Sequence, residues 1–229
     1  MVTVAPTRMN MSRRPMLTEL QALTLARWLS PGYPVGAFAY SHGLEQAIAD
    51  GRVLDCATLE DWLRDTLEFG AGRNDALLLV AAWRADEADL TGIDATARAL
   101  AASRERVIET ERQGTAFART EAQVSGVAAT PLAYPVAIGA AASRHGLPLR
   151  STCALYLQAF AANLVSAAQR LMPLGQTEGQ QLQSALAPLC ARIAEEVEHG
   201  TLDDLSSTTF MGDIASMRHE TQQPRIFAT

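Results

Sequence analysis

Lysine is absent from this sequence: all 19 basic residues are arginine. The absence excludes chemistry, because a Walker phosphate-binding loop needs its lysine and Schiff-base enzymes need a lysine amine. The arginines form no run or stripe, and the chain carries a formal net charge of −6 with an isoelectric point near 5.2. An acidic chain without a basic patch is a poor candidate for binding nucleic acid.

Potential metal ligands and disulfide partners are also few. The 3 cysteines are odd in number and lie far apart, at Cys56, Cys153 and Cys190. They predict single buried thiols in a reducing compartment, not a disulfide framework. The 4 histidines show no H-E-x-x-H spacing and have no neighbouring cysteine, so we expect no tight metal site in one chain. Only His219 lies in a polar, unpatterned context, which makes it the one weak candidate for a metal ligand.

Long apolar runs and signatures of catalysis are missing as well. No apolar run approaches the ~20 residues of a membrane helix, so we expect a cytoplasmic protein that does not enter a membrane. There is no G-x-S-x-G motif, and Gly70-Ala-Gly72 is a lone G-x-G that follows no strand. We therefore expect no enzyme and no cofactor.

What is present is helical periodicity. Hydrophobic residues make up 48% and charged residues 19% of the chain, which is typical of a soluble globular protein. No alternating strand pattern appears, so the sequence predicts an all-α fold: one compact domain of about eight to ten helices over residues 17–204, after a disordered leader of residues 1–16. The expected helices cover about 17–30, 43–49, 58–67, 74–85, 94–103, 104–124, 134–145, 148–170 and 176–198.

The loop at residues 33–45 is unusually specific. It reads Tyr33-Pro-Val-Gly-Ala-Phe-Ala-Tyr-Ser-His-Gly-Leu-Glu45, with aromatic residues and glycines close together. A packed turn between helices and a recognition loop both fit this composition. A second turn, Pro173-Leu-Gly-Gln176, follows Arg170.

The last segment, residues 205–229, has no helix-period apolar residues. Arg218, His219 and Glu220 lie side by side, where no helical face could bury all three. We therefore predict an irregular C-terminal tail that binds a partner from about Asp213 onward and is not needed for folding. A frayed end is the alternative, since termini are commonly disordered unless something holds them.

Together these segments resemble the UreF family of urease accessory proteins. That family reads roughly L-P-V-G-[AG]-[FY]-S-[YW]-S-Q-G-L-E near its first helix, and its tail resembles D-I-A-S-M-R-H-E-T-Q, which residues 213–222 match without a break. The turn after Arg170 also matches. His42 stands where the family usually has glutamine, and Gln223-Pro224 stands where it usually has Tyr-Ser.

The resemblance implies an all-α, non-enzymatic chaperone of urease maturation. Such proteins dimerise, bind a UreD-like (UreH-like) protein and help to recruit a UreG-like GTPase to apo-urease, so that nickel is inserted. Arg170 and Arg218 are candidates to meet the GTPase. The matched motifs make these residues candidates for partner binding: Tyr33, Pro34, Val35, Gly36, Phe38, Tyr40, Ser41, Glu45, Arg170, Gln176, Asp213, Ser216, Met217, Arg218, His219, Glu220, Thr221 and Gln222.

The alternative is a helical ligand-binding or scaffold protein unrelated to nickel. A ligand-binding regulator would need a DNA-reading module, and the acidic charge argues against one. An all-α enzyme would need a polar cluster in an apolar pocket, and the sequence shows no such cluster.

Overall fold

The computed structural model describes residues 17–229, so the expected leader at residues 1–16 lies outside the described residues. Within them, ten α-helices and three short 3₁₀ helices form the regular structure, and no strand occurs. The all-α prediction is confirmed. The α-helices are α1 (Glu19–Trp28), α2 (Leu44–Ala49), α3 (Cys56–Glu68), α4 (Ala71–Arg84), α5 (Leu90–Leu100), α6 (Arg104–Ser125), α7 (Tyr134–Arg144), α8 (Leu149–Leu171), α9 (Gln176–Glu196) and α10 (Phe210–His219).

The core is built around α4, which packs against α7 and α8. Residues 76–80 of α4 are all buried, as its strongly apolar sequence predicts. Gly139 allows α7 to pack closely on α4, because a Cβ atom there would overlap the carbonyl oxygen of Leu79. Two long helices, α8 and α9, pack against each other along one side of this core.

Three helices begin earlier than their sequence patterns suggested: α3 at Cys56, α4 at Ala71 and α5 at Leu90, where the predicted starts were 58, 74 and 94. The predicted start at Thr58 is wrong, because Asp55 caps α3. The Thr58 amide donates to the Asp55 side chain at 2.9 Å, and the Asp55 amide donates to the Thr58 hydroxyl at 3.0 Å. This reciprocal pair is a capping box with threonine at its third helical position, in place of the usual glutamate or glutamine.

The C-terminal segment is the main departure from the sequence prediction. The expected irregular tail contains α10, and the residues after it return to the loop at 33–45. Residue 219 is fully buried, while its neighbours 218 and 220 are exposed, so the helix buries one member of the polar triplet and leaves two in solvent. The tail is thus part of the folded structure.

A glycine permits this packing. Gly43 has φ +75°, and a Cβ atom there would lie 2.7 Å from the Ser216 amide nitrogen, with further α10 backbone at 3.1 Å. Any side chain at position 43 would therefore push α10 away from the start of α2. Only glycine satisfies both the left-handed backbone and the close approach.

We predict that Gly43→Ala will destabilise the protein and displace α10, and that Gly36→Ala will do so far less. Gly36 has nearly the same φ, +74°, but nothing lies within 4 Å of its added Cβ. Gly36→Ala should therefore cost only the left-handed strain, about 1 kcal/mol, whereas Gly43→Ala should cost about 2 kcal/mol more. Urea unfolding of both variants measures the difference, and equal losses would show that α10 does not pack tightly on Gly43.

Candidate partner-binding site

The structure brings together the two most specific segments of the sequence, the loop at 33–45 and the residues from 213 onward. We call this assembly the C-terminal clasp. Two backbone hydrogen bonds connect the segments. The Ala228 amide donates to the Ala39 carbonyl at 2.8 Å, and the Ser41 amide donates to the Thr229 carbonyl at 2.9 Å. The Ser41 hydroxyl also donates to the Thr229 carbonyl oxygen. The tail is therefore held by directed hydrogen bonds, beyond simple apolar contact.

His219 lies at the centre of the clasp with a side-chain exposure of 0%. Its Nε2 is 3.1 Å from a Glu45 carboxylate oxygen, and its Nδ1 is 2.7 Å from a Glu105 carboxylate oxygen. Each ring nitrogen of His219 therefore lies within hydrogen-bonding distance of one carboxylate oxygen. Arg225 pairs with the other oxygen of Glu105.

Glu45 links this ion cluster to the end of the chain. Its carboxylate accepts the Ile226 amide at 2.7 Å and the Phe227 amide at 2.9 Å, in addition to His219. Hydrogen bonds to a charged acceptor are among the strongest that proteins form. Glu45 therefore fixes both α10, through His219, and the extended residues that follow it.

A second carboxylate, Glu109 of α6, binds the other side of the clasp. It accepts from His42 Nε2 at 2.7 Å, Arg106 Nη1 at 2.7 Å and the Thr229 hydroxyl at 3.0 Å. Burial alone would raise the pKa of Glu109, but the positive charges and hydrogen bonds of Arg106 and His42 outweigh burial and lower it to about 2. Burial, with the charge of Arg106, lowers the pKa of His42.

Arg170 closes the clasp at its outer edge. Its Nη1 donates to the Phe38 carbonyl at 2.9 Å, and its guanidinium lies 4.4 Å from the centre of the buried Phe227 ring. This cation–π contact and the hydrogen bond hold the loop, α8 and the chain end together. Arg170 therefore has a structural role within the chain.

The beginning of the loop is anchored separately, at Glu121 of α6. This buried carboxylate accepts the Trp28 indole N–H at 2.8 Å and the Tyr33 hydroxyl at 3.3 Å, and it pairs with His145 at 3.0 Å. Burial and the charge of Glu121 raise the pKa of Tyr33 to about 12. Tyr33 is thus a structural anchor at the base of the loop.

The predicted partner-binding residues divide by exposure. Seven are buried within the fold: Tyr33, Val35, Tyr40, Ser41, Glu45, Ser216 and His219. Gly36, Asp213 and Gln222 are half-buried. Eight are exposed: Pro34, Phe38, Arg170, Gln176, Met217, Arg218, Glu220 and Thr221. Gln176 begins α9 and contacts Gln169 rather than any clasp residue.

Burial corrects two expectations. His219 is enclosed and engaged by two carboxylates, so it is not a free metal ligand in this structure. No group of three or more His, Cys, Asp or Glu side chains among residues 17–229 is arranged to hold a metal ion. The expectation that the tail is unnecessary for folding also conflicts with the buried Phe227 and Thr229.

The outward side of α10 is apolar. Phe210, Ile214 and Met217 are spaced four and three residues apart and therefore share one face, with Met211 beside them. All four side chains are exposed, from 38% at Ile214 to 68% at Phe210. We call these four residues the docking face. An exposed apolar face of this kind on a packed helix is typical of a protein–protein contact.

Sequence reasoning missed the acidic partners of the clasp. Glu105 and Glu109 lie in an amphipathic, strongly charged stretch, and the loop and tail cover them so that Glu105 is half-buried and Glu109 is buried. Their one sequence signal is their spacing of four residues, which places both side chains on one face of α6. The sequence gives no sign of the partners that distant segments supply.

Comparison with known proteins extends the resemblance to nearly the whole chain. A family model described as UreF matches residues 53–187. The chain is 55% identical over 207 residues to the urease accessory protein UreF of Cereibacter sphaeroides, covering 90% of this chain and 98% of that protein. It is 53% identical over 213 residues to that of Ruegeria pomeroyi (93% and 98% covered) and 52% identical over 207 residues to that of Roseobacter denitrificans (90% and 93% covered).

The clasp predicts a specific loss of stability in acid. The folded pKa of Glu109, about 2, lies below its ordinary value of 4.5. Its contribution is therefore complete above pH 4.5 and is lost as the pH falls towards 2, a difference of roughly 3 kcal/mol. Glu109→Gln should be less stable at pH 7 and should lose roughly 3 kcal/mol less than the wild type between pH 5 and pH 2.

The measurement is the free energy of unfolding in urea as a function of pH. The matched control is Glu60→Gln, which removes a surface carboxylate paired with Arg64. That pair is worth under about 1 kcal/mol, so its removal should change stability little. Parallel pH curves for Glu109→Gln and the wild type would contradict the account of this carboxylate.

Proposed function

Because the chain belongs to the UreF family of urease accessory proteins, with a role in urease maturation, we propose that it acts as a non-catalytic adaptor. It binds a UreD-like (UreH-like) protein through the docking face and recruits a UreG-like GTPase, so that nickel is inserted into apo-urease. The observation that supports this proposal most is the exposed apolar face of α10 on a segment that the rest of the chain holds by buried ion pairs.

The composition of the chain supports separate roles for this protein and the GTPase. Without lysine, this protein has no Walker loop, so the nucleotide and its phosphate-binding loop belong to the GTPase. This chain supplies a binding surface for its partners. The docking face places aromatic, sulfur-containing and aliphatic side chains together, and such side chains are common anchors at the centres of interfaces.

The clasp orders the docking face before a partner binds. A disordered tail would lose conformational entropy on binding, whereas a packed α10 presents its side chains in place. Arg218 and Glu220 lie at the end of the docking face, and Arg218 makes only a 3.4 Å contact to Asp50. These exposed charges form a polar rim that can choose the partner's orientation.

The two arginine candidates, Arg170 and Arg218, differ in their contacts within the chain. Arg170 is exposed but already contacts Phe38 and Phe227, so its first role is to hold the shape of the clasp. Arg218 is exposed and is the residue that can reach a partner directly. The homodimer implied by the family stays part of the proposal, and light scattering of the purified chain tests it.

We predict that Ile214→Ser will weaken binding to the UreD-like protein by at least about tenfold without changing the stability of the isolated chain. Ile214 is 38% exposed before binding and would be desolvated on binding, and losing a buried apolar anchor costs about 2 kcal/mol or more. The measurement is calorimetric titration with the purified partner, combined with urease activation in cells that lack the native accessory protein.

Leu155→Ser is the matched control, because Leu155 is also 38% exposed on a helix but lies on α8, away from α10. It should leave partner affinity unchanged. If Ile214→Ser and Met217→Ser both bind the UreD-like protein as tightly as the control does, the docking face is not the interface and this assignment fails.

A further inference from the structure

A cavity of about 390 Å³ lies between the end of α1, the loop at 33–45, α6 and α8. It is separate from the docking face, and none of its lining residues belongs to α10. Exposed residues line its mouth, among them Pro31, Phe38, Ser166 and Gln180, so it opens to solvent. Its volume falls in the range of pockets that bind small molecules.

The inner walls of the cavity are aromatic. Besides Phe38 at the mouth, five aromatic rings line it, those of Trp28, Tyr33, Tyr134, Tyr156 and Phe160. Tyr134 and Tyr156 lie with ring centres 5.7 Å apart. Aromatic rings carry negative charge on their faces, so several rings around one space favour a cation there.

The polar floor of the cavity carries a net negative charge when its acids are ionised. Besides the tyrosines, four titratable side chains line it: Asp75, Glu109, Arg106 and His42. Arg106 and Glu109 offset each other through their 2.7 Å ion pair, and burial, with the charge of Arg106, lowers the pKa of His42. Asp75 is the remaining charge, since its contact to Arg106 is long, at 3.9 Å.

Asp75 has spare capacity to accept hydrogen bonds. Its Oδ2 accepts the Tyr156 hydroxyl at 2.8 Å, and no hydrogen bond to its Oδ1 occurs among the described residues. The side chain is 13% exposed, so the carboxyl group is neither fully enclosed nor solvated. A carboxylate with an open oxygen, set among aromatic rings, is suited to an N–H donor that carries positive charge.

We propose that this cavity is a binding site for an organic cation, an alkylammonium or guanidinium group, held between the Asp75 carboxylate and the aromatic walls. The group donates to Asp75 Oδ1 while its carbon atoms contact the rings. A free amine and an arginine side chain of a partner protein share this chemistry. This proposal does not depend on the proposed adaptor function, and the two are tested by separate experiments.

Binding of a cation at this site should also release a proton from Asp75. Burial raises the pKa of Asp75, against the opposing influence of Arg106 and the Tyr156 hydrogen bond. A cation beside the carboxyl group favours its ionised form, so the fraction of Asp75 that is protonated releases its proton to the buffer as the cation binds. The other ionisable groups facing Asp75 are His42, Glu109, Arg106, Tyr134 and Tyr156, and all of them are present before the cation binds.

The test is calorimetric titration of the full chain with benzylammonium and with its neutral analogue benzyl alcohol. We expect saturable binding of benzylammonium at one site and at least about tenfold weaker binding of the alcohol. Asp75→Asn should reduce benzylammonium affinity by at least about tenfold and leave the alcohol unchanged. Titrations in phosphate and in Tris, whose ionisation enthalpies differ, measure the released proton.

A second measurement needs no variant. The ¹³C chemical shift of the Asp75 carboxyl group should move towards the ionised value when benzylammonium is added and should not move with benzyl alcohol. Equal affinity for the two probes, unchanged affinity in Asp75→Asn, or no saturable binding with a static Asp75 signal would each overturn the proposal.

The two sources of the cation are then distinguished by competition. Saturating benzylammonium should weaken assembly with the UreD-like and UreG-like proteins if a partner's arginine occupies the cavity. Assembly should be unaffected if the natural ligand is a free amine. Either result requires that benzylammonium binding has first been shown to depend on Asp75.

Discussion

Buried carboxylates need partners, and three of them organise this molecule. Glu45, Glu105 and Glu109 lie within or beside the core, where an unpaired charge would cost several kcal/mol. Their partners come from segments more than a hundred residues away, chiefly His219, Arg225 and Thr229. The final residues of the chain therefore fold back because they complete an electrostatic arrangement that the helices alone leave unfinished.

This dependence connects stability to recognition. The residues that hold the clasp are buried, whereas the docking face is exposed on the opposite side of the same helix, so one short segment has a side that packs on the fold and a side that we propose binds a partner. If that proposal holds, a change in Glu45 or His219 would disturb partner binding without removing a contact to the partner. In the UreF family, loss of urease maturation in such variants therefore does not by itself identify a contact residue.

The sequence predicted the helices well because each is set by local signals. Caps, prolines, glycines and apolar period are readable one segment at a time, and α6 and α8 were placed within one or two residues. The prediction of an irregular tail was wrong because the tail is ordered by contacts with distant segments. α10 has few core-facing apolar residues, and its stability comes from ion pairs and from the space left by Gly43. The motif residues remain a prediction for partner binding, and their division into buried and exposed members required the structure.

The most direct test of the clasp is amide hydrogen exchange of the isolated full-length chain at neutral pH. If buried carboxylates hold the tail, the amides of Ile226 and Phe227, which donate to Glu45, should exchange about as slowly as amides of α2. The α10 amides should show comparable protection. Exchange of residues 213–229 at the rate of an unstructured peptide, in a chain whose core is protected, would contradict the account.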